Sequence, residues 1–197
     1  MRRYIHNSKE VNMAIYKSDI KGDFITLRPV TTRYSEDIIK LRTDKIISKY
    51  LNKTVPSIEK QNEWLSSQIN KNGDYYFAII DNKTDKLIGT ISLYNIDKED
   101  TAEFGRWICI GNSLQSTESV LLLHDFGFNV IKLKKIYSRT VAENTKTLNF
   151  HKRFGATQTE HMIQLENSDF TLIENYIDYL QYENIKKKIK KKIEIFK

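Results

Sequence analysis

Residues 102–124, AEFGRWICIGNSLQSTESVLLLH, contain the pattern that decides the fold. The apolar run from Phe104 to Ile110 predicts a buried strand, a polar loop covers residues 111–116, and an apolar helix is expected to begin near Thr117. The first N–H groups of such a helix have no intrahelical partner and lie at the positive end of its dipole, so they favour a phosphate or pyrophosphate. A core helix capped by Ser116 or Thr117, without a ligand, fits this stretch equally well.

The composition is that of one soluble globular domain. The 197 residues are 40% hydrophobic and 29% charged, and no run is apolar and long enough to predict a membrane span or a secretory signal. We expect an N-terminal extension at residues 1–23, a folded domain at 24–182 and a basic tail at 183–197. The single cysteine, Cys109, excludes an internal disulfide and agrees with a cytoplasmic location.

The net charge of +7 is concentrated in the tail. Residues 183–197 hold seven lysines and two glutamates, so only two of the seven excess positive charges belong to the rest of the chain. A basic nucleic-acid-binding face on the folded body is therefore not expected. For the tail we favour a solvated end. Contact with anionic lipid through its isoleucines, or with RNA, stays open as a weaker alternative.

The order of predicted elements indicates a mixed sheet. Strands at 75–80, 86–96 and 104–110 are joined by short loops and should be antiparallel neighbours. A strand at 134–141 and a helix at 145–154 follow the central helix, and this crossover implies locally parallel strands. Further elements are a strand at 24–30, helices within 31–72, and a hairpin of strands 161–165 and 170–182 around residues 167–169. The prediction is an α/β (α+β) fold with a mostly antiparallel central sheet of about six to seven strands, flanked by helices.

Three segments carry a resemblance to a known family. They are FITLRPVTTRYSEDIIKLR at 24–42, the paired KLIGTISLYNI at 86–96 and AEFGRWI at 102–108, and TVAENTKTLNFHKRFGA at 140–156. Over residues 24–182 the chain resembles the GNAT superfamily of acetyl-CoA-dependent N-acetyltransferases. It is similar to the branch that includes ribosomal-protein N-terminal acetyltransferases, and to acetyltransferases that act on nucleotide-linked amino sugars. The resemblance implies a splayed central strand pair, acetyl-CoA as co-substrate, and transfer of its acetyl group to a primary amine.

The family's pyrophosphate loop is altered in this chain. The pattern Gln/Arg-x-x-Gly-x-Gly/Ala falls on residues 111–116, where Leu114 and Ser116 replace the two inner glycines. Glycine at those positions lets the backbone approach a phosphate without a Cβ. The resemblance still implies that this loop binds the cofactor, through Ser113, Leu114, Gln115, Ser116 and Thr117.

The family's late motif is altered as well. Its tyrosine, the usual general acid for the departing CoA thiolate, aligns with His151, while Asn144 of the motif is kept as a cofactor contact. A histidine can donate a proton near neutral pH. The alternative is that His151 is a buried helix residue without a chemical role.

The resemblance also implies two roles for the central strand. A backbone N–H near Trp107 or Ile108 would polarise the thioester carbonyl as an oxyanion donor. Glu103 is the candidate base that takes the proton of the acceptor amine, directly or through water. An ordinary ion pair between Glu103 and Arg106 is the alternative.

Two functions follow from these residues. The first is an N-acetyltransferase acting on an amine-bearing acceptor. A nucleotide-linked amino sugar would need a closed pocket with groups for a pyrophosphate, and a protein N-terminus would need an open groove. The alternative is a catalytically impaired GNAT-fold module that binds CoA or regulates a partner. No HxxxH motif or Cys/His cluster suggests a metal, and a homodimer is compatible with either function.

Overall fold

The computed structural model describes residues 15–164 and 170–196. Residues 1–14, which make up most of the predicted extension, lie outside the described residues, and so does the turn predicted at 167–169.

The described residues form one mixed sheet with helices packed against it. The strands are β1 Ile20–Lys21, β2 Ile25–Pro29, β3 Tyr75–Asp81, β4 Leu87–Tyr94, β5 Thr101–Cys109, β6 Lys135–Val141, β7 Thr157–Gln164 and β8 Thr171–Asp178. The helices are α1 Ser35–Thr43, α2 Ile58–Ile69, α3 Ser113–Asp125, α4 Thr145–Phe154 and α5 Tyr179–Glu194. The strand order is β1-β2-β3-β4-β5-β6-β8-β7, and every neighbouring pair is antiparallel except β5 and β6. The predicted fold class is confirmed, with the two-residue β1 as an additional strand.

The parallel pair β5–β6 separates after three residues. Its pairing covers only Thr101–Glu103 against Lys135–Tyr137, although both strands continue beyond that point. The predicted splayed strand pair is therefore confirmed. The gap between the diverging strands opens the centre of the sheet to a ligand.

A β-bulge interrupts β5 beside this gap. Thr90 lies opposite Ile108, and Ser92 lies opposite Gly105, so two residues of β5 face one residue of β4. The first of the two, Arg106, has a φ of +49°, in the left-handed region that a residue with a side chain rarely adopts. A bulge leaves one backbone group without a partner in the ladder and re-aims the side chains around it.

The main core lies between the sheet and helices α3 and α5. Val120, Leu121 and Leu123 supply the α3 face of this core. Ile185, Ile189 and Ile193, spaced four apart on α5, supply another. The boundary predicted at residue 183 thus falls inside α5, and the apolar side of the basic segment is buried in the core.

The segment before β2 is tied to α3 by a buried carboxylate. Glu118 accepts hydrogen bonds from the backbone N–H groups of Asp23 at 2.7 Å, Phe24 at 2.7 Å and Ile25 at 2.9 Å. The ring of Tyr16 packs on the ring of Phe126 at a centroid distance of 4.7 Å. Residues 15–23 therefore contact the body of the domain.

Candidate active site

A cavity of about 800 Å³ lies beside the splay of β5 and β6. Its walls come from β5 around Glu103 to Trp107, from β6 around Ser138 to Val141, and from α4. The segment 50–55 between α1 and α2, together with α2 itself, supplies another wall. Four predicted site residues line this one cavity: Glu103, Trp107, Asn144 and His151.

Glu103 is held in the cavity wall by donors from β4, from the residue after it, and from β6. Its carboxylate accepts a hydrogen bond from the Tyr94 hydroxyl at 3.0 Å and from Asn95 Nδ2 at 3.0 Å. The Tyr137 hydroxyl approaches at 3.5 Å, and the Arg139 guanidinium lies 3.9 Å away. Burial, and then the Glu103 charge, raise the pKa of Tyr94, so its hydroxyl remains protonated and donates to the carboxylate.

The ion pair considered between Glu103 and Arg106 does not form. Arg106 instead forms a bidentate salt bridge with Asp74, in which Nη1 lies 2.6 Å from Oδ1 and Nη2 lies 2.9 Å from Oδ2. The Asp74 side chain is only 1% exposed. The guanidinium also lies 4.3 Å from the ring centroid of Tyr94. Arg106 is thus neutralised and fixed by its own partner, and Glu103 keeps acceptor capacity towards the cavity.

His151 is buried among aromatic rings. Its side chain is 4% exposed, and its ring lies 5.6 Å from that of Phe104 and 6.3 Å from that of Trp107 between centroids. Desolvation lowers the pKa of His151 to about 4. At pH 7 only about one molecule in a thousand therefore carries an imidazolium at this position. A neutral imidazole offers one N–H donor and one nitrogen acceptor, and holds no extra proton to give away.

Trp107 and Ile108 occupy different environments. Trp107 belongs to the bulge and lines the cavity, and its indole Nε1 is buried without a hydrogen-bond partner among the described residues. Ile108 is a buried core residue opposite Thr90. Of the two predicted positions, Trp107 is the one whose side chain lines the cavity.

Helix α3 begins earlier than predicted and has a different cap. Its first residue is Ser113 instead of a position near Thr117, and the N-cap is Asn112. Asn112 Oδ1 accepts from Gln115 N at 3.0 Å, and Gln115 Oε1 accepts from Asn112 N at 3.0 Å. This reciprocal capping box, which the sequence analysis overlooked, explains why the helix starts at Ser113.

The early start changes which loop groups can meet a phosphate. Ser116 N donates to Asn112 O at 3.0 Å, and Thr117 lies inside the helix. Gln115 uses both its N–H and its side chain in the cap. Of the predicted cofactor-binding residues in this loop, Ser113 and Leu114 are those whose N–H groups belong to the first turn and are not used by the cap. They are the groups in α3 that could hold a phosphate of the cofactor.

Asn144 begins α4. Its Oδ1 accepts from Thr147 N at 3.3 Å, so it is the N-cap, and it also lines the cavity. Asn144 directly precedes the helix predicted at 145–154, and the structure brings it to the same cavity as His151, two turns further along.

Several cavity residues were missed from the sequence. Arg42 on α1, Gln61 on α2 and Arg139 on β6 all line the cavity. Gln61 lies one helical turn before the fully buried Leu65, so its place on the inner face of α2 could have been inferred from the spacing. No comparable signal singles out Arg42 or Arg139, because their neighbours in the cavity are remote in sequence.

No group of three His, Cys, Asp or Glu side chains within residues 15–164 and 170–196 could hold a metal ion. No helix in the same residues is long and apolar enough to cross a membrane.

Comparisons with known proteins agree with this geometry. The probable N-acetyltransferase YjcK of Bacillus subtilis (strain 168) is 25% identical over 148 residues, which span 69% of this chain and 82% of the relative. Apo FdhC, described as a nucleotide-linked sugar GNAT, shares the fold with a TM-score of 0.74 at 24% identity, covering 88% of this chain and 97% of its own. Spermidine N-acetyltransferase from Vibrio cholerae, in complex with CoA and spermine, shares it with a TM-score of 0.73 at 22% identity, covering 83% and 100%.

The family model described as the acetyltransferase (GNAT) domain matches residues 25–157. That match spans β2 to the first residue of β7, and so includes the splayed strands, α3 and α4. The chain belongs to the GNAT family and is an acetyl-CoA-dependent acyltransferase.

Proposed function

We propose that this chain transfers the acetyl group of acetyl-CoA to the primary amine of a small, negatively charged acceptor, a nucleotide-linked amino sugar. The charge of the cavity lining carries the proposal. The described lining residues include five cationic side chains and one carboxylate, Glu103. Arg106 is paired with Asp74 and Arg139 with Glu174. The other three cations, Arg42, Lys53 and Lys60, form no ion pair within the described residues. Such a lining favours an anion that also presents one amine near Glu103.

The size and side chains of the cavity support the same acceptor. A volume of about 800 Å³ is in the range of pockets that hold drug-sized or cofactor-sized ligands. Tyr50, Trp64 and Phe170 lie in the lining and offer aromatic faces for a base or a sugar. A nucleotide-linked sugar would use the aromatic faces and the cations together, whereas a peptide N-terminus would need neither.

Glu103 is proposed as the base. Acetyl-CoA, when bound, supplies an acetyl group already activated as a thioester. Glu103 would take one proton from the acceptor ammonium, which frees the amine lone pair for attack. Tyr94 and Asn95 hold the carboxylate in place for that step. An N–H group of the β5 bulge at Arg106 and Trp107 would donate to the developing oxyanion.

His151 is proposed as a neutral hydrogen-bond donor instead of the general acid expected from the sequence. With its pKa lowered to about 4, the ring is neutral at pH 7 and cannot act as a preformed acid. Its N–H would instead donate a hydrogen bond to the departing thiolate. In full transfer, the N–H proton would pass to the thiolate sulfur while the other ring nitrogen takes a proton from water, so that the charge of the ring stays at zero.

The relatives bear on the acceptor by analogy. FdhC is described as a nucleotide-linked sugar GNAT, which supports the proposed acceptor class. The Vibrio cholerae relative is a spermidine N-acetyltransferase. A polyamine carries several positive charges, and the unpaired cations Arg42, Lys53 and Lys60 in the lining oppose its binding.

The test is amine-dependent release of CoA thiol, preceded by titration with acetyl-CoA in a calorimeter. We expect acetyl-CoA to bind and a UDP-linked or dTDP-linked amino sugar to stimulate thiol release. Binding of acetyl-CoA without stimulation by any amine acceptor would favour a catalytically impaired CoA-binding module. Absence of acetyl-CoA binding at millimolar concentration would contradict the proposal at its first step.

A further inference from the structure

We propose that Arg42, Lys60 and Gln61 form a subsite for the phosphoryl groups of the acceptor, with Gln61 Nε2 donating a hydrogen bond to a phosphoryl oxygen. The inference rests on the proposed function, because it assigns the negative charge of that acceptor to the α1–α2 wall of the cavity. It is carried by a buried donor and by two cations that lack an acceptor or carboxylate partner among the described residues.

Gln61 is the first observation. Its side chain is 7% exposed and lines the cavity, and its Nε2 is buried with no hydrogen-bond acceptor among the described residues. A buried donor left unpaired costs about 1–3 kcal/mol. A ligand oxygen in the cavity would remove this cost, and an apolar residue at position 61 would avoid it altogether.

Arg42 is the second observation. Its Nε donates to Thr54 Oγ1 at 2.7 Å, and its Nη2 donates to Asn52 O at 3.2 Å, so both partners are neutral. No carboxylate within residues 15–164 and 170–196 lies within 4 Å of this guanidinium. The contacts to segment 52–54 fix the guanidinium on the cavity wall with its charge uncompensated. A guanidinium has five N–H groups, so further donors remain for an anion.

Lys60 completes the subsite. It precedes Gln61 on α2, lines the cavity, and forms no ion pair within the described parts of the chain. Its ammonium gives the subsite three rotatable N–H donors besides those of the Gln61 amide and the Arg42 guanidinium.

The two walls of the cavity therefore favour ligand groups of opposite character. On the β5 wall, Glu103 is an acceptor that suits an amine. On the α1–α2 wall, donors and positive charge exceed acceptors, so the ligand must bring oxygen atoms and negative charge. Phosphoryl oxygens meet both needs, and charge-assisted hydrogen bonds to them are about twice as strong as neutral ones.

The experiment is calorimetric titration of UDP, and separately of uridine, into the protein saturated with CoA, so that the phosphate-binding groups for CoA are already filled. The variants are Gln61→Met and Arg42→Met, with Lys187→Met, an exposed lysine on α5, as the matched control. We expect Gln61→Met to weaken UDP binding by about 10- to 100-fold and Arg42→Met by at least as much. Uridine binding should change less than twofold, and Lys187→Met should behave as wild type.

Stability gives a second readout. Because Gln61→Met removes an unpaired buried donor, its free energy of unfolding should equal or exceed that of the wild type. A residue kept for stability alone would show the reverse. Weaker UDP binding together with unchanged or higher stability is the expected signature.

The outcomes separate this inference from the proposed function. UDP binding that is absent in the wild type, or unchanged in both variants, overturns the subsite whatever the acetyl-transfer assay shows. If both variants lose UDP binding while no amino sugar nucleotide is acetylated, the subsite stands and the proposed acceptor is wrong.

Discussion

Glu103 is the residue on which the proposed chemistry depends. Replacing it by glutamine keeps the shape of the side chain and removes the base, so kcat should fall by roughly 100-fold or more. Thiol release measured from pH 5.5 to 9 checks the fall in rate.

The matched control for Glu103 is Glu160→Gln, an exposed carboxylate on β7. It should leave rate and pH profile unchanged. A Glu103→Gln enzyme with wild-type rate and pH dependence would show that the amine loses its proton by another route.

Two buried histidines should make the protein sensitive to acid. Desolvation lowers the pKa of His124 and of His151 to about 4, against an ordinary value near 6.5. Between these values the unfolded chain binds more protons than the native one, so stability is present above pH 6.5 and is lost as the pH falls towards 4. From pH 7 to pH 5 each histidine should cost about 2 kcal/mol.

Urea unfolding of the wild type and of His151→Phe at pH 7 and pH 5 measures this loss. The variant should lose about 2 kcal/mol less than the wild type between the two pH values. An equal loss in both proteins would mean that His151 is not a buried neutral group.

At the scale of elements, Glu118 joins the chain before β2 to helix α3. Three backbone N–H groups depend on its carboxylate, so Glu118→Ala should lower the free energy of unfolding by about 3 kcal/mol. Glu36→Ala, which removes an exposed and solvent-screened pair with Lys40, should have a much smaller effect. Urea unfolding of both variants checks the difference, and a cost below 1 kcal/mol for Glu118→Ala would contradict it.

The ends of the helices and strands show where the local sequence was sufficient to predict an element boundary. The helix expected at 145–154 was found at Thr145–Phe154, because Asn144 caps it and Gly155, at φ +112°, ends it. The strand expected over 170–182 ends at Asp178 instead. Asp178 Oδ1 accepts from Gln181 N at 2.7 Å and starts α5. The spacing of Asp178 and Gln181 signals this capping box in the sequence, as that of Asn112 and Gln115 does for α3.

At the scale of the whole molecule, α5 is part of the core. Ile189 is buried between lysines, so Ile189→Ala should lower the free energy of unfolding by about 3 kcal/mol. Lys187→Ala, on the exposed side, should change it by less than about 0.5 kcal/mol. Thermal or urea unfolding distinguishes the two, and a neutral Ile189→Ala would mean that the helix does not pack as described.

The sheet and the β5 side of the cavity were predictable, but the α1–α2 side was not. Apolar alternation and short loops indicate the antiparallel strands, and the resemblance of two segments brings Glu103 and His151 together. The spacing to Leu65 indicates that Gln61 faces inward, but only tertiary packing brings Gln61 and Arg42 to the same cavity as Glu103. The lowered pKa of His151 likewise comes from aromatic neighbours such as Phe104, 47 positions earlier in the chain, so a role assigned by alignment did not anticipate its neutral state.

The central claim is acetyl transfer to a negatively charged amino sugar nucleotide, and a competition experiment tests it most directly. Equimolar UDP-linked amino sugar, spermidine and a short peptide are incubated with the enzyme and acetyl-CoA, and the acetylated products are quantified by mass spectrometry. The account predicts that the nucleotide-linked sugar is the dominant product and that Glu103→Gln lowers its yield by roughly 100-fold or more. Preferential acetylation of spermidine or of the peptide would contradict the account.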